Sequence, residues 1–436
     1  MVYLSLIKRI NIMKEIFKRL IVDFQEKEIT NIYKRDYEIP LNSKKIISLI
    51  GVRRSGKSSV LFYLINTLKE NTPSQNIIYI NFEDDRLFGT KLSDLDSLIE
   101  GYYELYPTKR KEIIYFFLDE VQAVDKWEQF VRRIYDTLNV VIFITGSSSK
   151  LLSSEIATSL RGRTISYEIF PLSFKEYLQF KNIEVNLHSS ISLSFIKNSL
   201  EEYLLKGGFP EIVNEPLDIQ KRILSDYVNL IVYKDIIERY GITNTALLKH
   251  LIKYTFSNIS TLISFNKLYN DYKSQGFKLA KDTLFEYFSH LQDAYTLFSV
   301  PIFRSSIKEE QRNPKKIYTI DNGFKYIYNT FLSDDFGKLY ENLVFLHLRR
   351  KTDEIYYLKQ NQEVDFYCII DGQKQILNVS YDLSDRKTKE REIKGLLEAM
   401  HYMGIKNSIL ITKEADEIVD IDGKKINITP LFKWLL

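Results

Sequence analysis

The sequence has few residues of several kinds, and each shortage excludes a class of protein. Only one of its 436 residues, Cys368, is a cysteine, and its five histidines are scattered. A disulfide framework and a zinc constellation are therefore excluded, and we expect a reducing, cytoplasmic environment. No apolar run approaches the roughly 18 residues that a membrane-spanning helix needs. Residues Met1–Lys8 are interrupted too early for a signal peptide, so no membrane partner is expected.

The charge balance and the length set further bounds. With 61 basic and 57 acidic residues the net charge is only +4, so a nucleic-acid partner would need a local basic patch. The length and an apolar content of 44% predict about three domains with sizeable cores. Apolar residues recur at helical spacing in residues 12–27, which predicts an amphipathic helix packed on the core that follows.

The most informative segment is Gly51–Ser58, Gly-Val-Arg-Arg-Ser-Gly-Lys-Ser, which matches the phosphate-loop pattern G-x-x-x-x-G-K-[ST]. An apolar run precedes it and a helical pattern follows, a context that disfavours a chance glycine turn. Backbone N–H groups would surround the phosphates, Lys57 would reach the β- and γ-phosphates, and Ser58 would ligate Mg²⁺. ATP and Mg²⁺ are therefore the expected ligands. The predicted nucleotide-binding residues are Gly51, Val52, Arg53, Arg54, Ser55, Gly56, Lys57, Ser58 and Ser59.

A second apolar run, Ile113–Leu118, ends in Asp119 and Glu120. It predicts a strand that is buried on both faces and places the two acids at its carboxyl end. Asp119 would hold Mg²⁺, and Glu120 would polarise the attacking water. Such a pair, taken alone, also fits a solvated turn, but the phosphate loop upstream favours the catalytic interpretation.

Another strand pattern, Ile77–Phe82, lies in the sequence between these two runs and contains Asn81. This region resembles the additional-strand, catalytic-glutamate branch of P-loop ATPases. By that resemblance Asn81 is a candidate to hold Glu120 inactive until a ligand binds. The alternative is an ordinary asparagine at a strand end.

A further apolar run, Val140–Ile144, is followed by Thr145-Gly146-Ser147-Ser148-Ser149. A small hydroxyl at this edge could contact the γ-phosphate or its water, which is the sensor position of AAA-type ATPases by resemblance. Ser147, with Thr145 behind it, is the candidate. The alternative is that the serines only cap the helix that begins at Lys150.

Several segments together resemble the prokaryotic, chiefly archaeal, AAA-type ATPases that carry a winged helix and a restriction-nuclease-like C-terminal domain. The segments are the Gly51 loop, Leu118–Gln122, Thr145–Ser149, Leu160–Arg163, Phe170–Phe174 and Gly207–Glu211. The resemblance implies a homo-oligomer in which Arg161 or Arg163 acts as an arginine finger, the alternative being a basic turn. It also makes Pro210 a candidate nucleotide sensor, the alternative being a Gly-Gly helix end.

Three helical patterns and two strand-like runs between residues 243 and 320 suggest a winged helix. Its third helix, Lys281–Phe288, would be the recognition helix, although it carries the acids Asp282 and Glu286. The basic residues expected on the wing are Arg304, Lys308, Arg312, Lys315 and Lys316. DNA binding is one interpretation of this module. The other is a contact with a protein partner.

The segment after Asn322 changes to a mixed pattern of helix and strand. By resemblance it is a PD-(D/E)xK nuclease core in which Glu341, Glu363 and Asp365 remain. Asn378 and Ser380 stand where that family has glutamate and lysine, which removes a metal ligand and the lysine that assists the water. We therefore expect no nuclease activity.

These observations predict an α/β protein built on a P-loop parallel sheet of AAA type, with a helical lid, a winged helix and a C-terminal α/β restriction-nuclease-like domain. The expected domains are residues 1–180, 181–242, 243–320 and 321–436 in that order. The expected function is ATP hydrolysis coupled to DNA or a nucleoprotein. The alternatives are a slow signalling switch gated by a protein partner and an ATP-regulated nuclease.

Overall fold

The computed structural model describes residues 2–146, 160–328 and 336–436. Its chain forms two compact units, Met1–Ile169 and Phe170–Leu436. No helix among the described residues is long and apolar enough to cross a membrane.

The first unit is built on a five-stranded parallel sheet, in the order β2-β3-β4-β1-β5. Its strands are β1 (Ile46–Ile50), β2 (Ile77–Asn81), β3 (Ile114–Asp119), β4 (Val140–Gly146) and β5 (Thr164–Glu168). Its helices are α1 (Val2–Glu26), α2 (Lys57–Lys69), α3 (Asp96–Leu105) and α4 (Trp127–Thr137). Every residue of β1 and β3 is buried, as expected of central parallel strands covered on both faces.

The strand that lies between the phosphate-loop strand and the Asp-Glu strand is β4. It pairs in parallel with β1 on one side and with β3 on the other, whereas β2 lies at the sheet edge beyond β3. The run Ile77–Phe82 is therefore between the two motifs in sequence but not in space. The additional strand of the sheet is instead the one that ends in Thr145 and Gly146.

Helix α1 packs on this sheet as its apolar spacing predicts. Phe17 and Ile21 are fully buried, and Phe24 is almost so. The ring of Phe24 stacks on Tyr79 of β2 with 4.4 Å between centroids. The helix thus covers the strand that supplies one contact of the site described below.

The second unit begins with helices α5 (Phe174–Phe180), α6 (Ser190–Lys206) and α7 (Leu217–Leu230), the last continuing through a π-helical turn at Ile231–Ile237. The next elements are α8 (Thr245–Ser257), β6 (Thr261–Ile263), α9 (Phe265–Ser274), α10 (Lys281–Asp293), β7 (Leu297–Val300), α11 (Ile307–Arg312) and β8 (Lys315–Thr319). The strands form an antiparallel sheet in the order β6-β8-β7. The three helices α8, α9 and α10 therefore precede a strand hairpin, β7–β8, whose connection contains the short helix α11.

The C-terminal part of this unit is a six-stranded mixed sheet with helices. Its helices are α12 (Gly323–Tyr328), α13 (Phe336–Arg349), α14 (Arg386–Met403) and α15 (Leu431–Trp434). Its strands are β9 (Ile355–Lys359), β10 (Glu363–Ile370), β11 (Gln373–Val379), β12 (Asn407–Thr412), β13 (Glu417–Ile421) and β14 (Lys424–Pro430). The order is β13-β14-β12-β11-β10-β9. Strands β9 to β11 form an antiparallel meander, and β12 continues the sheet in parallel with β11.

The segment between β7 and β8 is attached to this C-terminal sheet. Phe303 N–H donates to Tyr357 O over 2.9 Å, and Tyr357 N–H donates to Pro301 O over 3.0 Å. The base of the expected wing therefore pairs with the edge strand β9. The exposed basic residues that remain on the wing are Lys308 and Arg312, with Lys315 half-buried.

The placement of Lys316 on the wing surface is wrong. Its side chain is only 3% exposed, and it faces Glu341, Glu363 and Asp365. The reason is strand alternation, since neighbouring residues of β8 point to opposite faces.

Candidate functional site

The loop Gly51–Ser58 joins β1 directly to α2, so its backbone turns at a helix N-terminus. Gly51 has φ of +141°, and a Cβ there would lie 2.4 Å from Ile169 O. Gly56 has φ of +95° immediately before the helix. Both positions therefore require glycine, because a side chain would be strained or would clash. The first N–H groups of α2 remain available to an anion.

Lys57 is buried at the start of α2. Its Nζ donates to the carbonyl oxygens of Gly51 and Val52, each over 3.1 Å. The ammonium thus lies inside the loop and is bonded to two of its carbonyl oxygens. Phosphate oxygens would offer it stronger, charged acceptors at the same place.

Other residues of the loop have supporting contacts. Arg53 forms an ion pair with Glu83 at 3.2 Å, whereas Arg54 is exposed at a left-handed turn position. The buried Arg35 donates to Ser55 O over 3.1 Å. Arg35 was not identified from the sequence, because it lies outside the motif in an irregular segment.

Asp119 ends β3 and is almost fully buried. Its Oδ2 accepts a hydrogen bond from Tyr79 OH over 2.8 Å, and its Oδ1 accepts one from the Thr145 hydroxyl. Burial raises the pKa of this carboxyl above its ordinary value, while hydrogen bonds that include one from the Ser58 hydroxyl oppose the rise. Ser58 and Asp119 therefore meet.

The pair of Ser58 and Asp119 fits a magnesium ion. Hydroxyl and carboxylate oxygens are the protein ligands that Mg²⁺ takes, and it usually keeps several waters besides. A divalent cation would also supply the positive charge that the buried Asp119 needs in its ionised form. The donor set is therefore appropriate for the metal expected from the sequence.

Glu120 follows Asp119 in a left-handed conformation, with φ of +51°. Its backbone N–H donates to the Thr145 hydroxyl oxygen over 2.9 Å, and its carboxylate accepts a hydrogen bond from the Gln122 amide. Asn81 instead accepts from the N–H of Glu83 over 2.9 Å. Gln122 thus donates to the Glu120 carboxylate, whereas the Asn81 side chain bonds the backbone of Glu83.

Thr145 connects the two acids. It is completely buried at the end of β4, bonds the carboxylate of Asp119 and accepts from the backbone of Glu120. Tyr79 bonds the other oxygen of Asp119. It was not identified from the sequence, because a tyrosine inside an apolar strand is usually a core residue. Ser147, the preferred sensor candidate, lies outside the described residues.

Arg161 and Arg163 lie at the amino ends of the strands, whereas the phosphate loop lies at their carboxyl ends. Ile46 N–H, at the start of β1, donates to Arg163 O over 2.8 Å. The phosphate loop follows the other end of β1, roughly 16 Å away for five strand residues. Neither arginine can therefore reach the phosphates bound by its own loop.

The two arginines also differ from each other. Arg163 forms a two-pronged ion pair with Asp136, with distances of 3.1 and 3.2 Å. Arg161 is exposed at a left-handed turn position. Arg161 is therefore the better placed of the two for contact with another protein copy.

The Gly207–Pro210 turn of the second unit is tied to Asp321. The Gly208 N–H donates to Asp321 Oδ2 over 2.7 Å, and the Gly323 N–H donates to Oδ1 over 2.8 Å. A Cβ at Gly207 would lie 1.7 Å from that carboxylate. Leu172 N–H donates to Gly208 O over 2.7 Å. The glycines are thus required by a buried joint, and the sensor role of Pro210 stays a prediction.

Asp321 gives this joint a pH dependence. Burial raises the pKa of its carboxyl to about 7, although the two backbone donors oppose the rise. Between about pH 4 and pH 7 the folded chain keeps a proton that the unfolded chain has lost, so stability falls as pH rises. The contribution is up to about 4 kcal/mol over this window.

We expect Asp321→Asn to remove this contribution, because an amide does not titrate. The chain's two tryptophans, Trp127 and Trp434, lie in different units, so Trp127→Phe leaves a fluorescence probe in the second unit. Denaturant unfolding at about pH 5 and about pH 8 should show a smaller loss of stability in Asp321→Asn than in its parent. Equal losses in both proteins would show that Asp321 is not the titrating group.

The fold and the site together define a class. A phosphate loop after β1, an Asp-Glu pair after β3 and the strand β4 between them constitute a P-loop ATPase fold. The family model described as an AAA domain matches residues 43–178, and a domain of unknown function, DUF8612, matches residues 197–334.

Curated relatives match almost the whole chain. The uncharacterized protein MJ1544 of Methanocaldococcus jannaschii is 38% identical over 97% of this chain and 96% of its own length. An uncharacterized protein of Haemophilus influenzae is 31% identical over 90% of this chain and 94% of its own. The chain belongs to the same family as these relatives, and its matched AAA domain makes it a P-loop, AAA-type ATPase family member.

Similarity to solved structures is weaker. The Walker-type ATPase PABY2304 of Pyrococcus abyssi aligns with 65% of this chain and 90% of its own at 17% identity, with a TM-score of 0.42.

Proposed function

We propose that the protein hydrolyses ATP with Mg²⁺ and couples its nucleotide state to contact with DNA or a nucleoprotein. The observation that carries the first half is the position of Asp119, which is buried at the carboxyl end of β3, bonded by Tyr79 and Thr145, with the Ser58 hydroxyl among the groups that lower its pKa. It brings the phosphate loop and the acidic strand end to one point, as phosphoryl transfer requires. The coupling to DNA rests on the helices and hairpin of the second unit.

The chain's own residues account for binding and for water activation. Lys57 exchanges the carbonyl oxygens of Gly51 and Val52 for phosphate oxygens. Mg²⁺, when bound by Ser58 and Asp119, stabilises negative charge on the phosphates. Glu120 accepts the proton of the attacking water. Thr145 fixes the backbone of Glu120 relative to the Asp119 carboxylate, so the two acids keep separate roles.

Hydrogen bonds within the protein occupy two of the proposed catalytic groups, and this favours the slow, partner-gated switch as the second candidate. Lys57 is held by loop carbonyls, and the Glu120 carboxylate is held by Gln122. Both groups must leave these partners before turnover. Stimulation of turnover by DNA would support the first candidate, and nucleotide exchange that depends on a protein partner would support the second.

The proposed DNA-binding module is a winged helix. Its elements follow the order α8, β6, α9, α10, β7, α11, β8, and the sheet order β6-β8-β7 places the final hairpin strand in the centre. Helix α10 would face the DNA groove, and the wing would contact the backbone. The acids Asp282 and Glu286 on α10 make strong base reading unfavourable. We therefore propose that binding depends on phosphate contacts.

Neutralising the wing should reduce the salt dependence of DNA binding. The variant changes Lys308, Arg312 and Lys315 to Gln and leaves the buried Lys316 intact. The plot of log affinity against log salt should flatten by roughly two to three units if each residue meets a phosphate. Fluorescence anisotropy with duplex DNA over a salt series measures this slope.

A matched control removes the same charge elsewhere in the second unit. Lys387, Lys406 and Lys425 are exposed residues outside the wing, and their change to Gln should leave the slope almost unaltered. If both triple variants lower the slope equally, the attraction is a general charge effect. An unchanged slope in the wing variant would favour the protein-contact interpretation of this module.

The nuclease-like part is proposed to be inactive in hydrolysis. Asn378 accepts the N–H of Asp365 over 2.9 Å and donates to Glu392, so it serves as a structural link between β10 and α14. The Ser380 hydroxyl donates weakly to Asp382 O at 3.4 Å. These side chains replace the charged groups that hydrolysis needs.

A further inference from the structure

Lys316 of β8 lies inside an acidic cluster of the C-terminal sheet. Its Nζ is 2.7 Å from Asp365 Oδ1, 3.0 Å from Glu363 Oε1 and 3.1 Å from Glu341 Oε1. The carboxylates come from β10 and α13, whereas the lysine comes from the proposed wing hairpin. One ammonium thus joins the winged-helix sheet to two elements of the C-terminal part.

Further hydrogen bonds fix the carboxylates around this ammonium. Tyr318, two residues along β8, donates to Glu341 over 2.7 Å. The second oxygen of Asp365 accepts the N–H of Val379 over 2.8 Å. Burial alone would lower the pKa of Lys316, but the charges of Asp365 and Glu341 outweigh it and hold that pKa well above its usual range. The lysine therefore stays charged.

The cluster consists of the residues that a nuclease of this type would use to bind a metal. Glu341, Glu363 and Asp365 are the carboxylates identified from the sequence by that resemblance. The three carboxylates surround one point, and the ammonium of Lys316 occupies it. An ammonium within about 3 Å of all three oxygens also opposes a second cation by charge and by space.

We propose that Lys316 is the resident cation of this acidic site and that the site clasps the winged-helix sheet to the C-terminal sheet. The chain's own ammonium takes the place of a divalent ion. The carboxylates that a nuclease would use for hydrolysis instead connect the winged-helix sheet to the C-terminal sheet, so these two sheets move together. This assignment is independent of ATP hydrolysis.

The pairing of the wing base with β9 supports the same joint. The hydrogen bonds between Pro301–Phe303 and Tyr357 link the backbones, and Tyr357 OH donates to Pro314 O over 2.7 Å. The ion cluster and this backbone pairing therefore lie at the same, loop-side end of one hairpin, because Lys316 pairs with Val300, the residue before Pro301. A substitution of Lys316 would remove the ion cluster, but it would leave the backbone hydrogen bonds between Pro301–Phe303 and Tyr357 in place.

The test compares Lys316→Met with Lys315→Met in the full chain on the Trp127→Phe background. Lys315 is the adjacent, half-buried lysine, so both variants lose one charge and gain the same side chain. Lys316→Met should lower the unfolding temperature reported by Trp434 by roughly 10 °C, as expected for breaking a buried ion pair in a domain of this size. Equal unfolding temperatures would overturn the clasp.

Metal binding supplies an independent measurement. About 1 mM Mn²⁺ should bind Lys316→Met, raise its unfolding temperature and give a bound signal in electron paramagnetic resonance. Adding Asp365→Asn should abolish that signal, which separates it from the nucleotide site. The wild type should show no Asp365-dependent Mn²⁺ binding and no cleavage of supercoiled, linear or single-stranded DNA. Binding or cleavage that Asp365→Asn removes from the wild type would overturn the proposal.

Glu363→Gln covers the case in which Lys316→Met does not fold. Glu363 is the most exposed of the three carboxylates, at 32%. Its neutralisation leaves Asp365 and Glu341 on the lysine, so the drop in unfolding temperature should be smaller but measurable, without Mn²⁺ binding. An unchanged unfolding temperature in this variant would contradict the clasp.

Discussion

Glu120→Gln should bind ATP as tightly as the wild type and hydrolyse it at least roughly 10²-fold more slowly, because the amide cannot accept the proton of the attacking water. The substitution preserves the size of the side chain. It also leaves the backbone N–H that bonds Thr145 unchanged, so the position of Asp119 is maintained. ATP should therefore accumulate on the protein.

Single-turnover hydrolysis and equilibrium binding of labelled ATP separate the two effects. Lys57→Ala is the comparison, since removal of the ammonium should abolish tight binding as well as turnover. Glu120→Gln with wild-type turnover would refute the assignment of the general base. Loss of binding in both variants would show instead that Glu120 supports the structure of the site.

Arg161→Ala should be nearly inactive and still bind ATP. An arginine finger contributes about 10³ to 10⁵ in rate, and Arg161 is exposed at an edge too far from its own phosphate loop to act there. Its expected target is the nucleotide of a neighbouring copy. Arg163→Ala should have the smaller effect, because Arg163 is already paired with Asp136.

Mixing defective proteins tests action between copies. Arg161→Ala supplies an intact phosphate loop, and Lys57→Ala supplies an intact arginine, so a mixed oligomer should regain part of the activity. Asp136→Asn serves as the control for any structural effect of the Arg163 pair. If the mixture stays inactive while each variant still assembles, the finger role of Arg161 is wrong.

The sequence predicted those parts of the site that depend on backbone and spacing. Gly51 and Gly56 have positive φ values that favour glycine, as the tight turn before a helix in a phosphate loop needs. The apolar run before Asp119 is long and uninterrupted, so its strand and its acidic end could be assigned directly. These motifs are local, and their residues are neighbours in the chain.

Contacts between distant segments could not be predicted. Tyr79 is 40 residues from Asp119, and nothing in its strand pattern indicates that its hydroxyl faces a carboxylate. Lys316 was placed on the wing because its neighbours are basic, but strand alternation turns it inward to partners up to 49 residues away. Pairing in space decides the role of a polar residue that lies inside an apolar strand.

The order of strands shows the same limit. The sequence places Ile77–Asn81 between the two motifs, but parallel strands are joined by crossovers, so chain order does not give sheet order. Only pairing identifies β4 as the central strand and Thr145 as the residue between the two acids. Thr145 was weighed from sequence only as a supporting residue to Ser147.

The most direct test of the proposed function is the steady-state release of phosphate from ATP by the full chain, with Mg²⁺, in the presence and absence of duplex DNA. The expected result is turnover that depends on Lys57 and Glu120 and rises when DNA is added. Lys57→Ala corrects for contaminating activity. Phosphate release no faster than in Lys57→Ala, with or without DNA, would contradict the account.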